Sequence, residues 1–222
     1  MRQLTLDLAA GRPATLLCLG AHCDDIEIGC GGTLLRLRRA QPELDVRWVI
    51  FCSDAARAAE ARASAARFLG PQAAERVTIH AHRDGFLPWE GAAVKQRFED
   101  LKREVAPDLI LTHYHRDLHQ DHRLVSELTW NTFRDHLILE YEIPKYDGDL
   151  GAPNSFVALD EDDVKQKVDA LLEAYASQRG RSWFDAETFR ALMRLRGVEC
   201  QSRYAEAFYA RKLMVEPWAS RC

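Results

Sequence analysis

Hydrophobic positions recur along the chain in two alternating patterns. Short apolar runs rich in β-branched residues occupy Ala14–Leu19, Val46–Cys52, Val77–His80 and Leu109–Thr112. Between them, Thr33–Arg39, Arg57–Leu69 and Val94–Val105 have helical period, with Leu, Ala or Val on one face and Arg or Glu on the other. Gly70 and Pro71 stop the second of these segments and Pro107 the third. This alternation predicts parallel strands joined by crossover helices, an α/β fold of the Rossmann-like, doubly wound kind with a mostly parallel sheet. Further on, the pattern predicts a helix over Arg123–Arg134, a strand over Leu137–Ile143 and a loop rich in Pro, Gly and Asp over Pro144–Asn154. A strand at Ser155–Leu159 and helices at Asp162–Ala176 and Ala186–Arg196 follow, and the last apolar run, Tyr204–Val215, is expected as a strand added at a sheet edge. No repeat, low-complexity stretch or linker interrupts the chain, so residues 1–222 are expected to form a single domain.

Composition narrows the class of partner. A formal charge of -4, with no run of like charge, argues against nucleic acid, whose phosphates demand a basic surface. The apolar stretch Ala14–Gly20 is far short of the roughly 20 residues that cross a bilayer, so no permanent membrane anchor and a cytoplasmic location are expected. The six cysteines sit in a chain long enough to build a core without disulfides and include no C-x-x-C pair; they are read as reduced thiols.

Two polar clusters interrupt this pattern. After the first strand the chain runs Gly20-Ala21-His22-Cys23-Asp24-Asp25 and enters a helix through Gly29, Gly31 and Gly32. Loops leaving the C-terminal ends of parallel strands form the ligand-binding rim, and a His with two Asp in four positions is costly unless a cation offsets the charge. The glycines do not have G-x-G-x-x-G spacing and no P-loop lysine follows, which leaves them the role of letting the helix start close under the site. After the fourth strand, four of the eight histidines lie between His113 and His122. With strands one and four side by side, one His and one Asp from the first loop and one His from the second make the open His-His-carboxylate set of catalytic zinc.

At this point the residues resemble a known family. Ala21-His22-x-Asp24-Asp25 with the Gly31-Gly32 helix start, paired with Asp117, His119, Asp121 and His122 about ninety residues on, looks like the LmbE and PIG-L family of zinc-dependent N-acetylglucosaminyl deacetylases. The segments Arg57–Gly70, Asp84-Gly85 and Tyr204–Phe208 extend the likeness over most of the chain. Cys23 stands where the family usually has proline, and a structural role is expected for it. The resemblance implies His22, Asp25 and His122 as metal ligands, Asp24 as general base, and His119 with Asp121 as an assisting pair. In that pair a protonated His119 would stabilise the oxyanion while Asp121 holds its ring and raises its pKa. It further implies Arg57 and Asp84 as contacts to the sugar. Glu206, a carboxylate costly to leave unpaired in an apolar segment, is expected to bind a sugar hydroxyl or pair with an arginine, and the polar loop around Lys145, Tyr146 and Asn154 is expected to form a wall or lid beside the site. The implied cofactor is zinc, with iron or another divalent metal as alternatives, and the implied partner is a small amino-sugar conjugate; a homo-oligomer is left open. Two other classes share some of these features. A non-haem iron oxygenase uses the same ligand set, and a non-catalytic sugar- or nucleotide-binding α/β protein would use the scaffold but have no need of Asp24.

Overall fold

In the computed structural model, which describes residues 3–6, 8 and 11–215, a seven-stranded sheet runs through the chain. Strand β1 (Thr15–Gly20) is central and pairs in parallel with β2 (Asp45–Cys52) on one side and β4 (Leu109–His113) on the other. Beyond these lie β3 (Val77–His82), parallel to β2, and β5 (Ile138–Tyr141), parallel to β4. The alternating residues of β1 serve two cores. Leu16 and Cys18 face a layer built from α1 (Asp25–Ala40), α2 (Ala55–Leu69), α5 (Glu161–Ala174) and α6 (Ala186–Glu199). Leu17 and Leu19 face Val94 and Phe98 of α3 (Gly91–Glu104) and Val125 of α4 (Gln120–Thr132). Helices on both faces explain why these strands read as unbroken apolar runs.

The end of the sheet differs from the expectation. The last strand, β7 (Tyr204–Tyr209), is antiparallel to β5 and lies inside the sheet, because β6 (Ser155–Leu159) pairs along its outer side and is itself the edge. All six residues of β7 are buried, as an interior position requires, and residues 210–215 carry no strand. No helix among the described residues is long and apolar enough to cross a membrane. Cys18, Cys23, Cys30, Cys52 and Cys200 are unpaired thiols.

Helix α1 begins at Asp25, eight residues before the expected start, and breaks at Cys30, whose φ of -144° is not helical. The broken ends are satisfied by a buried ion pair. Glu206 of β7 accepts the Gly32 amide at 2.7 Å and the Thr33 amide at 2.6 Å, acting as a distant N-cap for the second half. Lys167 of α5 donates to the Ile28 carbonyl at the end of the first half and to Glu206, both at 2.6 Å. Glycine is required nearby because a Cβ on Gly29 would collide with the Tyr141 ring and one on Gly32 would lie 2.6 Å from Leu159. The first turn of α1 is thereby laid close over the sheet, with Asp25 at the rim.

Candidate active site

The strand order changes direction between β1 and β4, and ligands bind in the crevice at such a switch point. Here the β1 exit supplies His22, Asp24 and Asp25. The β4 exit loop supplies Asp117 and His119, and α4 starts one turn earlier than expected, so Asp121 and His122 project from its first turn. Arg57 comes from the first turn of α2 and Asp84 from the loop after β3. A cavity of about 220 Å³ is lined on this side by His22, Asp24, Asp25, Arg57, Asp84, His119 and His122.

Hydrogen bonds behind the imidazoles set their tautomers. Nδ1 of His122 lies 2.9 Å from Asp117 Oδ2, and Nε2 of His22 lies 3.0 Å from Asp84 Oδ1 and 3.2 Å from Asp121 Oδ2. Both rings therefore spend their N–H on carboxylates, which turns the lone pairs of His22 Nδ1 and His122 Nε2 toward each other at 3.1 Å. Asp25 closes the triangle, its Oδ2 3.4 Å from His22 Nδ1 and its Oδ1 3.5 Å from His122 Nε2. Three lone-pair donors facing one another repel unless a proton or a metal ion lies between them. Their spacings match the edge of roughly 3.4 Å expected of tetrahedral ligands about 2.1 Å from a zinc ion.

The charge balance makes the same demand. Asp24, Asp25, Asp84, Asp117 and Asp121 gather around two permanent cations, Arg57 and Lys145. Burial would push the His22 imidazole down, yet the carboxylates, Asp25 foremost, hold its pKa well above the ordinary value, so a metal bound at Nδ1 would displace a proton there. His122 goes the other way, pushed down to about 4 by burial and by neighbouring His113, as suits an imidazole that presents a lone pair. Metal-ligand spacing is also found for His22 with His119 and His122, for Asp25 with His113 and His122, and, in a fourth grouping, for His22 with Asp84, His119 and Asp121. In the fourth, the imidazole atom on His22 is the N–H donor just described, so it offers a hydrogen where a metal needs a lone pair.

Asp24 stands beside the trio. Its Oδ1 accepts Arg57 Nη2 at 2.8 Å, while its buried Oδ2 has no hydrogen-bond partner. Burial raises its pKa and Arg57 opposes the rise. Arg57, expected at the sugar, is thus committed largely to Asp24. Asp84 remains at the rim with a well-exposed side chain.

Three expectations change. Asp121 does not hold the His119 ring with its carboxylate, whose oxygens accept the Gly85 and Leu87 amides at 2.7 and 3.1 Å and face His22. The backbone amide of Asp121 instead donates to His119 Nδ1 at 3.2 Å, where the ring caps α4. That bond places the ring proton on Nε2, and burial together with the proximity of His22 lowers the His119 pKa, so the side chain is a neutral donor rather than an imidazolium. Glu206 does not belong to this cavity at all. It is buried, and the Gly32 and Thr33 amides and Lys167 consume its carboxylate.

His113 carried little signal in the sequence, whereas the loop of Lys145 was expected beside the site and brings Lys145 and Tyr146 to the cavity, with Asn154 bonded instead to Ala210. His113, expected to pack at the strand end, is fully buried there, but its Nε2 also lies 3.1 Å from Asp25 Oδ2 and its ring stacks on His122 at 4.0 Å. Lys145 lies 3.0 Å from Asp117, behind His122, and 2.5 Å from Asp149. Cys23 points to Ser53 Oγ at 3.2 Å, and burial pushes its thiol up to about 11, far from a ligand thiolate. His115 pairs with Glu140 at 2.7 Å, and neither lines the cavity.

The fold and this site define a Rossmann-like α/β protein whose switch-point crevice presents a His-His-carboxylate trio beside a free carboxylate. The chain belongs to the PIG-L family, described as GlcNAc-PI de-N-acetylase, which matches residues 17–133, or 117 of the 222 residues. Solved structures agree with the fold. N,N'-diacetylchitobiose deacetylase from Pyrococcus horikoshii superimposes with a TM-score of 0.69 at 23% identity, covering 87% of this chain and 82% of that one. The zinc-inhibited form of teicoplanin deacetylase Orf2 gives 0.68 at 15% identity over 88% and 97%. GalB, the 4-carboxy-2-hydroxymuconate hydratase of Pseudomonas putida, gives 0.73 at 17% identity over 93% and 100%. At these identities the three establish a shared fold, and one of them is a hydratase, so the fold alone does not select amide hydrolysis. Family membership supports hydrolytic N-deacetylation.

Proposed function

We propose that the protein is a cytoplasmic, zinc-dependent hydrolase that removes the acetyl group from an N-acetylglucosamine-type sugar. His22 Nδ1, Asp25 and His122 Nε2 would hold the metal. When bound there, zinc would supply a Lewis acid for the acyl oxygen and make water acidic enough to attack near neutral pH. Asp24 Oδ2 accepts the proton of the attacking water, and Arg57 keeps that carboxylate oriented. His119 donates its Nε2 hydrogen to the acyl oxygen as negative charge develops, a contribution that needs no imidazolium. As the C–N bond breaks, the proton gathered by Asp24 passes to the leaving amine.

The free, buried Oδ2 of Asp24 beside the three converging lone pairs carries this reading. An oxygenase that bound iron in the same trio would have no use for a second carboxylate poised as a base, and neither would a binding protein. The test combines metal analysis with acetate release from N-acetylglucosamine and its conjugates. The protein purified with zinc is expected to release acetate, lose that activity to a chelator and regain it with added zinc. A stoichiometrically loaded protein inert towards every N-acetylated sugar conjugate would overturn the proposal.

A further inference from the structure

The cavity has a second wall. It is formed by the segment after β5, with Lys145, Tyr146 and Asp147, and by the connection between α5 and α6, with Gln178, Arg181 and Trp183. Tyr146 is 70% exposed and Trp183 is half-buried. The Trp183 ring is fixed edge-on against Phe184, centroids 5.7 Å apart at 78°, and Phe184 is itself buried in the core. The Tyr146 hydroxyl approaches Ser182 Oγ at 3.5 Å, so the two segments meet beside the cavity. Two aromatic side chains are thus placed around a site whose other wall is almost wholly polar.

The charges on this wall decide what it can receive. Lys145 is paired with Asp117 and Asp149, and the charge of Arg57 is paired with that of Asp24. Arg181 and Asp147 have no side-chain partner among the described residues, and their charges cancel. A phosphate or carboxylate on the substrate would find one uncommitted cation and would meet Asp147 and Asp84 as well. A neutral polyhydroxylated ring fits better: its C–H face covers an aromatic side chain, and its hydroxyls pair with Arg181, Asp147 and Gln178.

We infer that Tyr146 and Trp183 form a subsite for a second, uncharged sugar ring attached to the N-acetylated one, so that the preferred substrate is an oligosaccharide or glycoside. This rests on the proposed N-deacetylase reading for the position of the first ring.

The test measures binding and turnover separately on the zinc-loaded protein. Calorimetric titration with N-acetylglucosamine, N,N'-diacetylchitobiose and N-acetylglucosamine 1-phosphate is expected to rank the disaccharide at least about tenfold tighter than either other probe. Trp183→Ala is expected to reduce that advantage about tenfold and Trp183→Phe to keep most of it, with circular dichroism and unfolding midpoint confirming that both variants fold. Equal affinity for monosaccharide and disaccharide, equal losses on both in Trp183→Ala, or tightest binding of the phosphate would overturn the inference. Acetate release from the same sugars separates the two readings. A disaccharide preference lost in Trp183→Ala, without acetate release from any sugar, supports the subsite and refutes the deacetylase. Acetate release from the monosaccharide with no disaccharide advantage does the reverse.

Discussion

Replacing Glu206 with Ala should be among the most destabilising single changes in this protein, although the residue is remote from the cavity. Its carboxylate accepts two helix amides and the Lys167 ammonium at 2.6–2.7 Å, and both side chains of the pair are only 3% exposed. Truncation leaves Lys167 charged and buried with the Ile28 carbonyl as its remaining partner, and it orphans the Gly32 and Thr33 amides at the break in α1. Removing one member of a buried ion pair costs about 3–5 kcal/mol, and each unsatisfied buried amide about 1–3 kcal/mol. These costs overlap, and water entering the cavity of about 20 Å³ beside the pair can satisfy part of them, so about 4 kcal/mol is expected. Glu206→Gln keeps one acceptor oxygen and should cost about half as much. Lys167→Met combined with Glu206→Ala removes the stranded cation and should recover about 2 kcal/mol relative to additive losses. Urea unfolding of the metal-free wild type, Glu206→Ala, Lys167→Met and the double variant measures the cycle. A loss below about 1 kcal/mol in Glu206→Ala, or strict additivity in the double variant, would refute the idea that this pair holds the broken helix together.

Two predictions concern ionisation. Burial pushes the Glu27 carboxyl up to about 8, and its Oε1 accepts the Tyr175 hydroxyl at 2.5 Å. A carboxyl whose folded pKa exceeds its unfolded one binds more protons in the native state between those values, so stability is lost as pH rises from about 4.5 to 8. Glu27→Gln should flatten that slope, and identical pH dependence of the unfolding free energy in both proteins would contradict the assignment. The guanidinium of Arg57 lowers the pKa of Asp24, so Arg57→Gln should move the acid limb of kcat/KM to higher pH while zinc content stays the same. An unmoved or lowered limb would show that Arg57 does not govern the base.

The parallel half of the sheet was legible because strands covered on both faces are nearly pure apolar runs, and Gly70, Pro71 and Pro107 mark the ends of intervening segments. Its antiparallel end was less so. Tyr204–Tyr209 has the composition of a strand, but only its pairing with β6 reveals that it lies inside the sheet. The site loops were legible from the crowding of His and Asp at two strand exits, and adjacency of β1 and β4 brings those exits together. The polar loop that holds Lys145 and Tyr146 was legible as a wall, whereas Trp183 was hidden, because it reaches the cavity from a connection whose path is set by tertiary packing, with no local spacing to mark it. The charge state of His119 was also out of reach, since it depends on a backbone amide at the start of α4. Glu206 was expected at a sugar hydroxyl or an arginine because its apolar strand offers a carboxylate no neighbouring cation, and its partner, Lys167, lies 39 residues away in sequence.

The central claim, that Asp24 acts as the base beside a metal held by His22, Asp25 and His122, is tested most directly by Asp24→Asn. Zinc content and acetate release are measured on the same preparation. The variant is predicted to keep about one zinc per chain, because Asp24 is outside the trio, and to lose about 10²- to 10⁴-fold in turnover. Acetate release at the wild-type rate from the zinc-loaded variant would contradict the account.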